Sequence, residues 1–223
     1  MDKNGFGKRG NAAGTPPRPR TKPLKRPRQA RAQFTVEAIY QALVRIWLRD
    51  GWAGVTTRAV ALEAGFAVGT LYEYFPSKQA LLSGYVRHSI EQLLARIEAE
   101  AIAPPQLDWR ARLGCLLRLS IEAMQPLYGF EMAALEAQIA EPKHHQRAYQ
   151  ELLGTWQRLF AACSDLPQPV SPARVEALFL MVWGGRRYAA LAQLDAARLN
   201  VWLAEVEALL VAALAHAGAV AAT

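Results

Sequence analysis

The stretch that most constrains the fold is TTRAVALEAGFAVGTLYEYFPSK, residues 56–78. Its apolar spacing predicts two short helices, over about 57–64 and 68–75. Gly65 separates them and suits the left-handed conformation that ends a helix, while Pro76 ends the second helix. Two helices joined by a short turn that contains glycine are typical of a helix-turn-helix, whose second helix can enter the major groove of DNA.

Apolar residues at three- and four-residue steps predict helices on both sides of this stretch. The first is expected over 35–50, with Trp47 on its apolar stripe and Gly51 at its end. Side-chain oxygens that can cap a first helical turn belong to Thr35, Thr57, Ser77 and Asp195. Since no strand is predicted, the expected fold class is all-α with about nine helices. The remaining helices are expected over about 77–101, 109–127, 131–140, 142–164, 172–191 and 195–217.

The positive charge is concentrated at the N-terminus. Of the 26 Lys and Arg and 19 Asp and Glu residues, ten basic and one acidic residue lie in 1–33, which leaves 16 basic and 18 acidic residues elsewhere. Residues 1–33 are rich in Pro, Arg, Lys, Gly and Ala and lack periodic apolar residues, so we expect a disordered arm. Because the arm directly precedes a DNA-binding pattern, it could track phosphates or reach a minor groove; the alternative is a solubilising tail.

Several other classes of function lack a sequence signal. The chain contains no GxSxG, HExxH or Walker A motif, so we expect neither an enzyme nor a bound cofactor. His144 and His145 would point about 100° apart on a helix, which suits a surface pair better than a metal site. Cys115 and Cys163 lack CxxC spacing and are expected as small buried residues in a reducing compartment. With no signal peptide and no apolar run of about 18 residues, we expect a soluble cytoplasmic protein that does not contact the membrane.

The last two predicted helices, 172–191 and 195–217, are apolar over more than one face. A helix that is apolar over a wide arc needs partners on two sides. The rest of the chain supplies one partner, and a second copy of the chain can supply the other through an isologous four-helix contact. Gly184 and Gly185 would let another helix approach closely. We therefore expect a homodimer that forms through these two helices.

Over residues 35–85 the sequence resembles the DNA-binding domain of TetR/AcrR-type transcriptional regulators. The resemblance rests on GWAGVTTRAVALEAG, residues 51–65, and GTLYEYFPSKQALL, residues 69–82. It implies that 34–85 form a three-helix DNA-binding domain and that 86–223 form a helical domain for effector binding and dimerisation.

The resemblance also implies how the domain contacts DNA. Arg58 would reach a guanine edge or a phosphate, Gly69 would allow close backbone approach, and Tyr72 would donate to a phosphate. The full set of implied contact residues is Thr57, Arg58, Val68, Gly69, Thr70, Tyr72, Glu73, Tyr74 and Lys78.

Two positions depart from what the resemblance suggests or leave alternatives open. Ala67 stands where the family often has a small hydroxyl residue, so a phosphate contact or a helix cap is expected to be missing. Glu73 could accept from a cytosine amino group, pair with Arg58, or remain a solvated residue at the rim.

The function implied by the resemblance is that of a homodimeric repressor. It would bind a near-palindromic double-stranded operator and be released by a small-molecule effector. An activator of the same family, a non-specific architectural DNA binder, and a helical enzyme or small-molecule binder remain as alternatives. Large apolar side chains of the C-terminal half would either line the effector pocket or belong to the plain core: Trp109, Met124, Phe130, Trp156, Phe160 and Trp183.

Overall fold

The computed structural model describes residues 22–24, 30–122 and 142–215. Every regular element in these ranges is a helix, which confirms the all-α prediction. The short helix expected over 131–140 lies outside the described residues. No helix in the described ranges is long and apolar enough to cross a bilayer. In chain order the helices are α1 (Ala30–Gly54), α2 (Thr57–Glu63), α3 (Val68–Tyr74), α4 (Lys78–Ile97, continued by a π-helical turn, Glu98–Ile102), α5 (Trp109–Glu122), α6 (Pro142–Ala162), α7 (Pro172–Leu191) and α8 (Ala196–Ala215).

The first helix begins earlier than predicted. Thr35, the expected N-cap, lies inside α1, where its Oγ1 donates to the carbonyl oxygen of Arg31 at 3.0 Å. Residues 30–33, expected in the disordered arm, are therefore helical; Ala, Arg and Gln are good helix formers, so nothing in their chemistry delays the start. At the other end Gly51 has φ 69°, which breaks the helix where the sequence predicted a stop.

Two of the predicted helix caps are confirmed and one is displaced by a residue. Ser77 and Asp195 cap α4 and α8 through their side-chain oxygens. For α2 the cap is Thr56 and not Thr57: Thr56 is extended and its Oγ1 accepts from the backbone N–H of Ala59 at 3.0 Å. Two adjacent threonines have the same capping chemistry, so the sequence pattern could not distinguish them.

Helices α1 to α3 and the first half of α4 enclose one apolar core. Leu71 of α3 and Phe75 at its end are at most 1% exposed, and Trp47 lies in the same core, as predicted. A seven-residue helix is unstable on its own. The burial of Leu71 and Phe75, about 1.5–3 kcal/mol for each side chain, is therefore what holds α3 in its place.

A second core lies between the end of α4 and helices α5 to α8. Trp109, Trp156 and Phe160 are all buried in it. Helix α4 is shared, because Tyr85 belongs to the first core whereas Leu93 belongs to the second. One continuous helix therefore joins the two cores.

The joint after α4 is held by a buried arginine that the sequence did not single out. Arg112 of α5 is 5% exposed, and its Nη1 donates to the carbonyl oxygens of Ala101 and Ile102, both at 2.6 Å. The same guanidinium donates through Nη2 to Pro104 at 2.7 Å and through Nε to Leu107 at 3.1 Å. One side chain thus satisfies four carbonyl groups that the end of α4 and the following turn leave open.

One glycine of the pair in α7 lets another helix approach closely, as predicted. A Cβ on Gly185 would lie 2.8 Å from Cζ2 of Trp202, so this glycine allows α8 of the same chain to approach α7. Gly184 meets nothing within 4 Å and is exposed. The helix that approaches at Gly185 thus belongs to the same chain.

We expect Arg112→Met to lower the free energy of unfolding by about 3 kcal/mol or more, because four carbonyl groups would lose a charged donor. Arg110→Met is the matched control: Arg110 is exposed and stacks on Trp109 at 4.3 Å, which is worth at most about 1 kcal/mol. Guanidinium denaturation followed by tryptophan fluorescence measures both variants. Equal stabilities for the two would contradict the role given to Arg112.

The buried thiol gives a second prediction. Cys163 is 7% exposed, and burial raises the pKa of its thiol to about 11. In a Cys115→Ser variant, only about one Cys163 side chain in a thousand would be the reactive thiolate at pH 8. We expect slow labelling by a disulfide reagent, an increase of about tenfold for each pH unit, and fast labelling in guanidinium. Fast labelling of the folded protein at pH 8 would contradict the raised pKa of the Cys163 thiol.

Candidate nucleic-acid interface

The turn between α2 and α3 has the geometry that the sequence predicted. Gly65 has φ 76°, in the left-handed region, and its N–H donates to the carbonyl oxygen of Leu62 at 3.0 Å. The next N–H, that of Phe66, donates to Ala61 at 2.9 Å, so the last carbonyl groups of α2 are satisfied. Helix α3 then begins at Val68, and its seven residues span about 10 Å.

Helix α3 buries one face and presents the other to solvent. Leu71 is buried, whereas Gly69, Tyr72 and Glu73 are exposed. The remaining residues predicted to contact DNA lie on the same part of the molecule: Arg58 is exposed, and Thr57, Val68, Thr70, Tyr74 and Lys78 are half-buried. Helix α3 is thus a short helix that packs on an apolar core and exposes a polar face. Helices that read a DNA groove need this arrangement.

The structure brings together two of the residues predicted to contact DNA. Thr57 Oγ1 and Tyr72 Oη lie 3.1 Å apart, in hydrogen-bond contact across the ends of α2 and α3. Either hydroxyl can be the donor in this contact, and each keeps further hydrogen-bonding capacity. The hydroxyl that accepts in this contact keeps its own proton, which can be donated to a phosphate oxygen.

Gly69 is not required by the fold. A Cβ at this position would meet no atom within 4 Å, and the residue lies inside a right-handed helix, where alanine is favoured by about 1 kcal/mol. Ala67, which precedes α3, makes no side-chain cap, as its lack of a hydroxyl predicted. Packing inside the protein therefore does not explain why position 69 is a glycine.

Lys78 has a structural role that the sequence did not indicate. Its Nζ lies 3.4 Å from the carbonyl oxygens of Trp52 and Val55 and 4.4 Å from the ring centroid of Trp52. It therefore ties the start of α4 to the turn between α1 and α2. An ammonium group has three donors, so one remains for a phosphate.

The sequence also missed an ion-pair cluster beside the interface. Arg45 Nε lies 2.8 Å from Glu63 Oε1, and Arg49 Nη1 lies 3.5 Å from Glu63 Oε2. The hydrogen bond from Arg45 holds the pKa of Glu63 below its usual range. These two arginines brace α1 against α2. Since Arg45 and Glu63 are 18 residues apart, no local spacing signals the contact.

The residues expected around an effector are largely core in the described part of the chain. Trp156 and Trp183 flank Phe179, each with ring centroids 5.6 Å from it, and Trp183 also stacks on Arg186. Phe160 lines a cleft of about 530 Å³ at the end of α6. Met124 and Phe130 lie outside the described residues. Among the described residues, no group of three His, Cys, Asp or Glu side chains could hold a metal ion.

Comparison with known proteins matches the N-terminal helices to a described family. Residues 31–85 match the model of a family described as bacterial regulatory proteins, tetR family. Among curated relatives, the HTH-type transcriptional repressor KstR of Mycolicibacterium smegmatis is 42% identical over 65 residues, which are 29% of this chain and 32% of that protein. The chain thus aligns with about a third of that relative's length.

Solved structures extend the likeness of the fold beyond this domain. A transcriptional regulator from a Rhodococcus species covers 80% of this chain and 95% of its own, with a TM-score of 0.60 and 21% identity. The fatty acid degradation regulator FadR from Bacillus halodurans covers 79% of this chain and 94% of its own, with a TM-score of 0.59 and 17% identity. Residues 31–85 thus match the tetR family of bacterial regulatory proteins, and the all-helical fold of the whole chain is similar to those of these two solved regulators.

Proposed function

We propose that the protein is a homodimeric transcriptional repressor that binds a near-palindromic operator and is released by a small-molecule effector. The observation that carries the proposal is the exposed polar face of α3 within the segment, residues 31–85, that matches the TetR family. The curated relative KstR is named a transcriptional repressor, which favours repression. Its place of action would be the cytoplasm, where bacterial chromosomal DNA lies.

The contacts of one half-site follow from the geometry of α2 and α3. Within the Thr57–Tyr72 hydroxyl pair, the hydroxyl that accepts from the other donates its own proton to a phosphate, and Lys78 uses its remaining donor on another phosphate. Arg58 is exposed and long enough to reach a guanine edge. Gly69 lets the start of α3 approach the groove more closely than any residue with a Cβ would.

The dimer is supported by the outer faces of the last two helices. Six large apolar side chains on α7 and α8 are 42–74% exposed: Leu180, Met181, Tyr188, Leu191, Val201 and Leu209. Exposed Gly184 lies among them and adds no bulk. An apolar face of this kind is typical of an interface between copies, and two-fold pairing would present two α3 helices to successive major grooves.

Helix α4 provides the route by which an effector changes DNA binding. Arg87 of α4 pairs with Glu151 of α6, and the next residue, His88, lies 2.9 Å from Glu37 of α1. Neighbouring side chains on one helix thus hold the DNA-binding core on one side and the C-terminal core on the other. A ligand that moves α6 relative to α4 would therefore also move the recognition helix.

Gly69→Ala should separate folding from DNA binding. We expect thermal stability to be unchanged or increased, because the helix gains propensity and no atom is displaced. Affinity for the operator should fall, because the added Cβ blocks close approach to DNA. Fluorescence anisotropy with DNA obtained by in vitro selection measures the affinity. Wild-type affinity in this variant would refute the predicted close approach.

Tyr72→Phe and Thr57→Val should each weaken operator binding by about tenfold, the effect of losing one hydrogen bond to a charged group. Because the two hydroxyl groups form one hydrogen-bonded pair that orients a single donor to the phosphate, the double variant should lose little more than either single variant. Wild-type binding by both single variants, measured on selected DNA and on random competitor DNA, would remove the basis of the proposed interface.

The double variant Met181→Lys/Leu209→Lys should shift the protein from dimer to monomer and weaken operator binding, because the two half-sites are then bound independently. Leu48→Lys is the control, since Leu48 is 51% exposed but lies on α1. Sedimentation equilibrium measures the oligomeric state. A double variant that stays dimeric at micromolar concentration would show that another surface forms the dimer.

A further inference from the structure

A cleft of about 880 Å³ lies where the DNA-binding core meets the C-terminal core. Helices α1, α4 and α6 contribute to its lining, together with Lys22 and Pro23. Its volume is in the range of sites that hold small molecules. None of the described residues predicted for the effector pocket lines it, so this cleft is a separate candidate site.

A buried tyrosine hydroxyl group opens onto this cleft. Tyr40 of α1 is 6% exposed, and its ring packs on those of Phe75 and His88, with centroids 5.5 and 5.0 Å apart. Its Oη lies beside Gly84 of α4, where a Cβ would be 2.7 Å from it, and both residues line the cleft. Among the described residues, none forms a hydrogen bond with this oxygen. Since buried hydroxyl groups are normally hydrogen-bonded, Tyr40 Oη offers a contact to a molecule in the cleft.

Two carboxylates make the surroundings of this hydroxyl group negative. Glu37 of α1 and Glu91 of α4 line the same cleft, and each side chain is 46% exposed. Burial, followed by the negative charges of Glu91 and Glu37, raises the pKa of the Tyr40 phenol above its usual range. The same potential that opposes a phenolate favours a positive charge beside the hydroxyl group.

The arginines of the cleft are already compensated. Arg87 Nε lies 2.6 Å from Glu91 Oε1, and the same guanidinium group pairs with Glu151 of α6. Arg147 Nε lies 2.9 Å from Glu151 Oε1. Two arginines thus share two carboxylates, and together they add no net charge.

Glu37 can bind a further donor. Its Oε2 lies 2.9 Å from His88 Nε2, and its Oε1 accepts from Gln41 Nε2 at 3.4 Å. No lysine or arginine in the described part of the chain pairs with it, and Lys22, the other basic residue of the lining, is exposed. A carboxylate has about four acceptor sites, so Glu37 keeps room for a cationic donor.

We propose that this cleft binds an organic cation, whose ammonium group donates to Tyr40 Oη and is attracted by Glu37 and Glu91. Its apolar body packs on Phe34 and Ile90, which line the same cleft; Phe34 is 71% exposed without it. The site stands apart from the proposed function, because it requires neither DNA nor a dimer. Because α1, α4 and α6 all line the cleft, one bound molecule contacts both cores.

Three probes test the charge preference: phenethylammonium, phenylethanol and phenylacetate. They share a phenyl ring and a short chain and differ in the head group. An NMR chemical-shift titration of the full chain, followed at the backbone amides of Gly84 and Glu91, measures both affinity and place. We expect phenethylammonium to bind about tenfold more tightly than phenylethanol, and added salt to weaken it.

Variants test the two kinds of contact. Tyr40→Phe removes only a hydroxyl group that bonds to no described residue, so we expect wild-type thermal melting and about tenfold weaker binding of phenethylammonium. Glu37→Gln and Glu91→Gln should each weaken binding about threefold, the effect of one half-exposed charge. Glu98→Gln is the matched control, because Glu98 is 50% exposed, pairs with Arg158 and lies outside the cleft.

Several outcomes would overturn the proposal. Phenylethanol or phenylacetate that binds as tightly as phenethylammonium would contradict the preference for a cation. No shift at Gly84 and Glu91 with any probe would show that the cleft holds only water. Wild-type affinity in Tyr40→Phe, or an equal loss in Glu37→Gln and Glu98→Gln, would contradict the placement of the ammonium group.

Discussion

The rest of the structure depends on the burial of Leu71 and Phe75 against α1 and α4. Helix α3 is too short to be stable alone, and its start has no side-chain cap. These two apolar side chains therefore decide that the segment is helical and how its polar face is oriented. The packing of the buried face of α3 therefore sets the exposed positions of Tyr72 and Gly69 on its opposite face.

The polar interactions around this core fix the positions of whole helices. Lys78 ties α4 to the turn after α1, Glu63 ties α2 to α1, and the carbonyl group of Tyr74 receives the N-terminal segment. The bond from the N–H of Leu24 to Tyr74 reaches α3 itself, whereas the other two contacts fix the helices on which α3 packs. The polar face of α3 is exposed, and we propose that DNA binds there.

The local chemistry of the chain predicted most of the fold. Periodic apolar residues located the helices, and Gly65, Ser77 and Asp195 marked ends and caps that the structure confirms. The prediction of the α2 cap was wrong because two adjacent residues, Thr56 and Thr57, have the same side chain and the same ability to cap a helix. The predictions also missed contacts that a partner distant in sequence decides. Carbonyl groups 23–26 residues earlier bind Lys78, and Trp202 of the same chain packs on Gly185.

The four carbonyl bonds of Arg112 also restrict how α4 can move. They anchor the end of α4 and its π-helical turn to α5, so sliding along the helix axis would break several charged hydrogen bonds at once. The 20 residues of α4 span about 30 Å, so a tilt of about 5° about the Arg112 end would carry Lys78 through about 2.6 Å. In the effector response proposed above, Arg112 would hold one end of α4 while Lys78, at the other end, moves most.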